Sequence, residues 1–273
     1  MCGISGYFSF KEACDFEVAL PESVSKIRHR GPDCQGVLIF KKAGLGHARL
    51  SIIDLSERGN QPMETENKGR AITYNGEVYN YQNLRRLLQD KGLKFSSQSD
   101  TEVILKGYEV FGASLFEQLD GMFAIAIYDA KKHELILVRD RFGMKPLYYF
   151  KDNKNVYFAS EMGALLDFPI DRILDKDALS LYLKYNYIPG NASMIKGVRQ
   201  VKPGTFLVIN ENGISEKTYY ELKAKPIEIP YKQAVENIAV LLGESVKNRL
   251  IADVPVASFL SGGLDSSAIS MLA

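Results

Sequence analysis

Short runs rich in β-branched and aromatic residues crowd the chain from Ile4 to Ala159, and this succession of strand-sized segments limits the fold more than any other feature. They fall at 4–10, 36–40, 46–53, 71–74, 122–128, 134–138, 147–150 and 156–159, with Gly, Asn and Asp between them, as antiparallel sheets require. Helical spacing appears at Tyr81, Leu84, Leu87 and Leu88 and stops at Gly92, placed as a C′ glycine. Ser99-Asp100-Thr101-Glu102 reads as a capping box and predicts a second helix through Ile104, Tyr108 and Phe111. Runs of strands with two packed helices predict a layered α+β domain.

Downstream, Asp175 is placed to cap a helix through Leu179, Tyr182 and Tyr185 that Pro189-Gly190 closes. A turn at Lys202-Pro203-Gly204 leads into a strand at 205–209, and the polar stretch 211–230 reads as a linker. Val235, Ile238, Leu242, Val246 and Leu250 then follow helical spacing, and 254–260 predicts a buried strand. Residues 231–273 are too few to bury a core alone. The expectation is a domain over 1–210, a linker over 211–230, and the truncated beginning of a second domain over 231–273.

Of 273 residues 46% are hydrophobic and 25% charged, and the formal net charge is +1, which suits a soluble globular protein. Near-neutral charge, with no stripe of interleaved basic and aromatic residues, excludes nucleic acid as the main partner. No signal peptide and no bilayer-length apolar run is present, so the expectation is a cytoplasmic protein with no membrane partner. Cys2, Cys14 and Cys34 are odd in number and share no metal-like spacing with His29, His47 and His133. Neither a disulfide framework nor a zinc site is predicted, and Cys14 and Cys34 receive no role.

Cys2 directly follows Met1 in Met1-Cys2-Gly3-Ile4-Ser5-Gly6. Removal of Met1 ahead of a small side chain would leave one residue carrying a thiol and a free α-amine, ordinarily with pKa values of about 8.5 and about 7.7–8.0. Such a chain end holds a nucleophile and its own base. Thiolate attack on a carboxamide would also need donors for the oxyanion. Tyr74-Asn75-Gly76-Glu77 offers the Asn75 amide and the Gly76 N–H, or else a type I′ hairpin turn. Arg49 interrupts the apolar run His47-Ala48-Arg49-Leu50-Ser51-Ile52-Ile53-Asp54, so its guanidinium either points to solvent or meets a ligand carboxylate. Glu77 and Asp100 are candidate partners for an ammonium, Asp100 being equally suited to the first turn of a helix.

Leu260-Ser261-Gly262-Gly263-Leu264-Asp265-Ser266-Ser267 lies between a predicted strand and a predicted helix. Two glycines, a helix N-terminus and three hydroxyls suit a pyrophosphate, although the G-K-[ST] ending of a Walker A loop is missing. A plain Ser/Gly turn with Asp265 capping the helix is the alternative.

These pieces occur in order with Arg28-His29-Arg30-Gly31-Pro32-Asp33, Arg49-Leu50-Ser51-Ile52, Tyr74 to Asn80, Leu119-Asp120-Gly121-Met122-Phe123 and Arg139-Asp140-Arg141-Phe142-Gly143. The set resembles the class II glutamine amidotransferase domain of glutamine-hydrolysing asparagine synthetases, followed by the start of their ATP-pyrophosphatase domain. The resemblance implies an N-terminal-nucleophile hydrolase fold, a four-layer αββα sandwich, with an α/β domain opening behind it. It implies Cys2 as nucleophile and its α-amine as proton shuttle, with Asn75 and Gly76 as oxyanion hole. Arg49 would hold the glutamine carboxylate, Glu77 and Asp100 its ammonium, and the backbone of Leu50, Ser51, Ile52 and Ile53 would line the pocket. Met122 belongs either to the core or beside an ammonia conduit.

By the same resemblance, Leu260 to Ser267 bind ATP, with Leu260 against adenosine and Asp265 near magnesium. ATP and Mg²⁺ serve the full-length synthetase, and glutamine hydrolysis needs neither. Glutamine, aspartate and ATP are the implied small-molecule partners, and a homodimer is expected by similarity. Two other readings are a glutaminase serving another acceptor, and an inert regulatory module that retains Met1.

Overall fold

The computed structural model describes residues 1–11 and 16–273; Cys14 lies outside them. Among the described residues twelve strands form two six-stranded sheets in which every pair is antiparallel. The first takes β1 (Gly3–Ser9), β2 (Cys34–Ile39), β3 (Ala43–Arg49), β8 (Tyr148–Lys151), β9 (Asn155–Ala159) and β10 (Arg199–Gln200), in the order β10-β8-β9-β1-β3-β2. The second takes β4 (Met63–Glu64), β5 (Arg70–Val78), β6 (Gly121–Asp129), β7 (Glu134–Arg139), β11 (Thr205–Asn210) and β12 (Gly213–Thr218), in the order β12-β11-β7-β6-β5-β4.

Strand alternation builds the layers. Along β6, Phe123, Ile125 and Ile127 face one way while Ala124, Ala126 and Tyr128 face the other, and both faces are buried. Ala124, Ala126, Leu135, Leu137 and Leu207 meet Ile4, Phe8 and Leu45 of the first sheet in the seam between sheets. Phe123, Ile125, Ile136 and Val138 instead pack beneath the helices α2 (Tyr81–Asp90) and α3 (Asp100–Phe111). On the opposite outer face, α1 (Ala19–Lys26) and α5 (Met162–Leu165) cover Tyr7, Tyr157 and Ala159. The result is a four-layer αββα sandwich, with the short α4 (Leu115–Gln118) beside α3.

Helix ends follow local chemistry. Gly92, at φ +88°, ends α2 with Leu93 N–H donating to Leu88 O at 3.1 Å and Gly92 N–H to Gln89 O at 2.8 Å. Ser99 caps α3 by accepting from Thr101 N–H at 3.1 Å, but Glu102 departs from the capping box. Its carboxylate reaches past Ser99 to accept from Ser96 N–H at 2.9 Å and Ser97 N–H at 2.7 Å, because the chain folds back there. Asp175 caps α6 (Lys176–Tyr185) by accepting from Asp177 and Ala178 N–H groups. That helix ends at Asn186, in the left-handed region at φ +60°, ahead of Pro189-Gly190, and Tyr182, Leu183 and Tyr185 on it are exposed.

Three expectations are corrected. Tyr74 to Glu77 are no hairpin turn: they continue β5, with Gly76 paired to Phe123. A Cβ at Gly76 would run into the Met122 carbonyl, so the close approach of β6 requires glycine there. The first part of the expected linker is strand: β12 pairs residue for residue with β11, and 219–230 is irregular. β12 is an edge strand with one inner neighbour, so its polar composition is tolerated and carries no strand signal. Residues 254–260 form no strand, and Phe259 and Leu260 are exposed. An extended segment needs a neighbouring edge to satisfy its backbone, and among the described residues no strand pairs with it. Two helices complete the chain, α7 (Tyr231–Asn248) and α8 (Leu264–Leu272).

Candidate active site

A cleft at one end of the sandwich collects residues from both sheets: Met1, Cys2, Arg49, Leu50, Ile52, Ile53, Tyr74, Asn75, Gly76, Glu77, Asp100 and Lys145 line it. β1 is an interior strand between β9 and β3, which fixes a chain end that would otherwise fray. Gly3 pairs with Ala48, so Cys2 meets the end of β3. There its Sγ accepts from Leu50 N–H at 3.3 Å and lies 3.5 Å from Leu50 O. Arg30 Nε donates to Cys2 O at 2.9 Å while its Nη1 pairs with Glu161 at 2.8 Å, which explains one conspicuous motif: the Arg28–Arg30 turn clamps the backbone of Cys2. Burial pushes the Cys2 thiol up, partly offset by the Leu50 N–H, and burial lowers the terminal amine.

Asn75 sits on β5 with 1% exposure, and both Nδ2 and Oδ1 are buried with no hydrogen-bond partner among the described residues. A carboxamide in that state costs free energy unless a ligand completes it. Its backbone is fixed from the neighbouring sheet, where His47 Nε2 meets Tyr74 O at 3.1 Å. His47 is fully buried and its pKa falls to about 3, chiefly by burial.

Arg49 does not point to solvent. It lines the cleft at 5% exposure, but Nη1 donates to Ser56 O at 2.9 Å and Asn60 Oδ1 at 2.7 Å, and Nη2 donates to the Ile53 and Asp54 carbonyls. The guanidinium thus gathers the 50–60 loop into the cleft wall while its charge stays at the pocket. Leu50, Ile52 and Ile53 line the pocket, whereas Ser51 turns aside and donates its N–H to Asp33 Oδ2 at 2.8 Å.

Asp100 opens α3 and is buried; its Oδ2 accepts from Tyr74 Oη at 2.9 Å and Val78 N–H at 3.2 Å. Burial raises its pKa against those donors, and burial also raises that of Glu77, with Lys145 opposing. Two carboxylates facing one cleft set a negative site beside the cationic Arg49. Met122 is half-buried on β6 opposite Glu77 and is not among the residues lining the cleft.

Sequence reading missed Lys145, Gln61 and Tyr74. Gln61 Oε1 accepts from Tyr74 N–H at 2.7 Å and its Nε2 donates to Thr101 at 3.0 Å, tying β5 to α3. Lys145 follows Gly143 of a motif that had been singled out, yet a lysine in a turn carries no signal until topology places it.

The second candidate site lies apart from this cleft, and none of its residues lines it. Gly262 takes φ +80°, Gly263 caps α8, and Ser261 and Ser266 hydroxyls pair at 3.0 Å. Asp265 stands in the first turn of α8, and among the described residues no cluster of acidic, His or Cys side chains suited to a metal is present. Among them no helix is long and apolar enough to cross a membrane.

Comparison with known proteins accords with this geometry. Residues 1–220 match the model of the glutamine amidotransferase domain and 237–273 match that of asparagine synthase. Over 277 residues the chain is 39% identical to asparagine synthetase [glutamine-hydrolyzing] 1 of Bacillus subtilis, covering 100% of this chain and 44% of that protein. It is 34% identical to amidase chry2 of Gibberella zeae, covering 99% of this chain and 42% of that protein. The chain therefore spans less than half the length of these two relatives. The structure of glutamine phosphoribosylpyrophosphate amidotransferase from B. subtilis matches with a TM-score of 0.59 at 17% identity, over 98% of this chain and 63% of that one, which shows a shared N-terminal-nucleophile hydrolase fold. The chain belongs to the glutamine amidotransferase domain family.

Proposed function

We propose that this chain is the glutamine-hydrolysing part of an asparagine synthetase, with Cys2 as nucleophile once Met1 is removed. The observation that carries the reading is the buried, partnerless carboxamide of Asn75 in the cleft that holds Cys2. Glutamine enters with its carboxylate toward Arg49 and its ammonium toward Glu77 and Asp100. The Cys2 α-amine takes the thiol proton, the sulfur attacks the side-chain amide carbon, and Asn75 Nδ2 with Gly76 N–H stabilises the oxyanion. The protonated amine gives its proton to the departing nitrogen, releasing ammonia and leaving a glutamyl thioester. Water then attacks the thioester and frees glutamate.

The match of 237–273 supports a synthetase half, in which Leu260 to Ser267 would hold ATP and Asp265 its magnesium ion. A helix N-terminus behind a glycine turn suits phosphates. Bound ATP supplies activation of an acceptor carboxylate, aspartate in this reading. Cytoplasmic location and pairing with a second copy go with it. The amidase relative favours a second reading, the same glutaminase serving another acceptor.

Incubation with a glutamine-shaped electrophile followed by intact mass tests the site. The expected result is loss of Met1, one adduct on Cys2, and glutamate release from glutamine by the untreated chain. A retained Met1 with no adduct and no glutamate would overturn the reading. Asparagine formation by the full-length protein, with aspartate among a panel of carboxylates, separates the two acceptor readings.

A further inference from the structure

Lys145 is 5% exposed, yet among the described residues its ammonium has a single hydrogen-bond partner, the Met1 thioether, with Nζ 3.1 Å from Sδ. A thioether is a weak acceptor, and lysine is almost never buried without a partner. The placement is also rigid. The Asp140 carboxylate accepts from the backbone N–H groups of Phe123, Phe142, Met144 and Lys145 at 2.9–3.1 Å, and Arg139 Nε donates to Lys145 O at 2.9 Å. A turn that crosses from β7 of one sheet to β8 of the other is thereby locked with a cation pointing at the chain end.

We infer that Lys145 is a positioning residue of the glutaminase site: once Met1 is removed, its ammonium stands beside the Cys2 α-amine and the Glu77 carboxylate, repelling a proton from the first and holding the charge of the second. This rests on the glutaminase reading above. The groups facing the chain end are the Cys2 thiol, Arg30, Lys145 and Glu77. Arg30 shares its charge with Glu161, and its Nη2 is buried without a partner. Those facing Glu77 are Lys145, Asp100 and the terminal amine, and Lys145 is the strongest charge favouring its ionised form. A neutral amine is needed to accept the thiol proton, and an ionised Glu77 is needed to bind the ammonium of glutamine. Loss of Lys145 raises both pKa values, so both effects push the acid side of the pH profile the same way.

The test is the pH dependence of kcat/KM for glutamine hydrolysis in the wild-type protein, Lys145→Met and Lys145→Arg, with Met1 removal verified by mass. In Lys145→Met the acid limb is expected to move up by about one pH unit, a roughly tenfold loss on the acid side that recovers toward alkaline pH. Lys145→Arg is expected to restore the wild-type limb. A Lys145→Met limb superimposed on the wild type, or a loss equal at every pH, overturns the inference. A titration of the wild-type Cys2 α-amine by NMR covers the case of a variant that does not fold. That amine is expected to titrate below the free value of about 7.7–8.0, and a value at or above it overturns the inference. A wild-type protein inert toward glutamine at every pH overturns the glutaminase reading and this inference together, whereas an active one with an unmoved limb removes Lys145 alone.

Discussion

Cys2 and Asn75 bring different liabilities to the cleft, and substitutions at each separate them. Cys2→Ala is expected to abolish glutamate release while leaving the thermal midpoint near that of the wild type, because a small half-buried side chain changes outside the sheets. Asn75→Ala removes the proposed oxyanion donor, so kcat is expected to fall by about 10²–10³-fold, about 2.7–4 kcal/mol. The same change deletes a buried group that has no partner among the described residues, and stability is expected to hold or rise. Steady-state kinetics beside thermal unfolding reads both signs at once. His47 adds a pH dependence of stability. Its pKa of about 3 in the folded chain lies below the usual 6.5, so the unfolded chain binds the proton more readily. Stability from this group is full above 6.5 and falls as pH drops toward 3, by up to about 1.4 kcal/mol per unit. Urea midpoints measured across that window for the wild type and His47→Gln check it: the wild-type midpoint should fall relative to that of the variant on acidification, and a difference constant with pH would rule it out.

At the scale of elements, the start of α3 links folding to binding. Glu102 accepts from Ser96 and Ser97, Lys106 Nζ lies 3.0 Å from its Oε1, and those donors hold its pKa below the usual carboxylate range against burial. This fold-back sets the angle at which Asp100 enters the cleft. Glu102→Gln is expected to cost about 1–3 kcal/mol and to raise KM for glutamine more than it lowers kcat, which denaturant titration and kinetics check. Some of this was legible in the sequence, because caps are local: Ser99, Asp175 and Gly92 act within a few residues of themselves. The candidate site residues are proposed from the sequence largely through their order along the chain. Lys145 and Gln61 stayed hidden because their meaning depends on which strands neighbour them. β12 hid behind a polar edge composition, and 254–260 misled because an apolar run reports only a tendency to be covered.

Across the whole molecule, the second part of the chain touches the first at a loop that walls the cleft. Asp253 N–H donates to Ile52 O at 2.9 Å, Asp253 Oδ2 accepts from Asp54 N–H at 2.7 Å, and Ile251 packs on the outer core beneath α2 and α3. Arg249 lies over the Tyr79 ring at 4.9 Å, where β5 ends. Asp253→Ala is expected to speed hydrogen exchange at 50–54 and to weaken glutamine binding severalfold, with the thermal midpoint of the sandwich little changed; unchanged exchange there would show the contact to be idle. The polar groups of the cleft, finally, come from opposing sheets: the Cys2 sulfur just ahead of β1 and the Arg49 guanidinium at the end of β3, the Asn75 carboxamide on β5. The thickness of the greasy filling between them, set by residues as small as Ala71, Ala124 and Ala126, therefore acts as a caliper on the distance across which a bond must form. Under the proposed reading, a methyl group added far inside the protein would detune turnover as surely as a change beside Cys2.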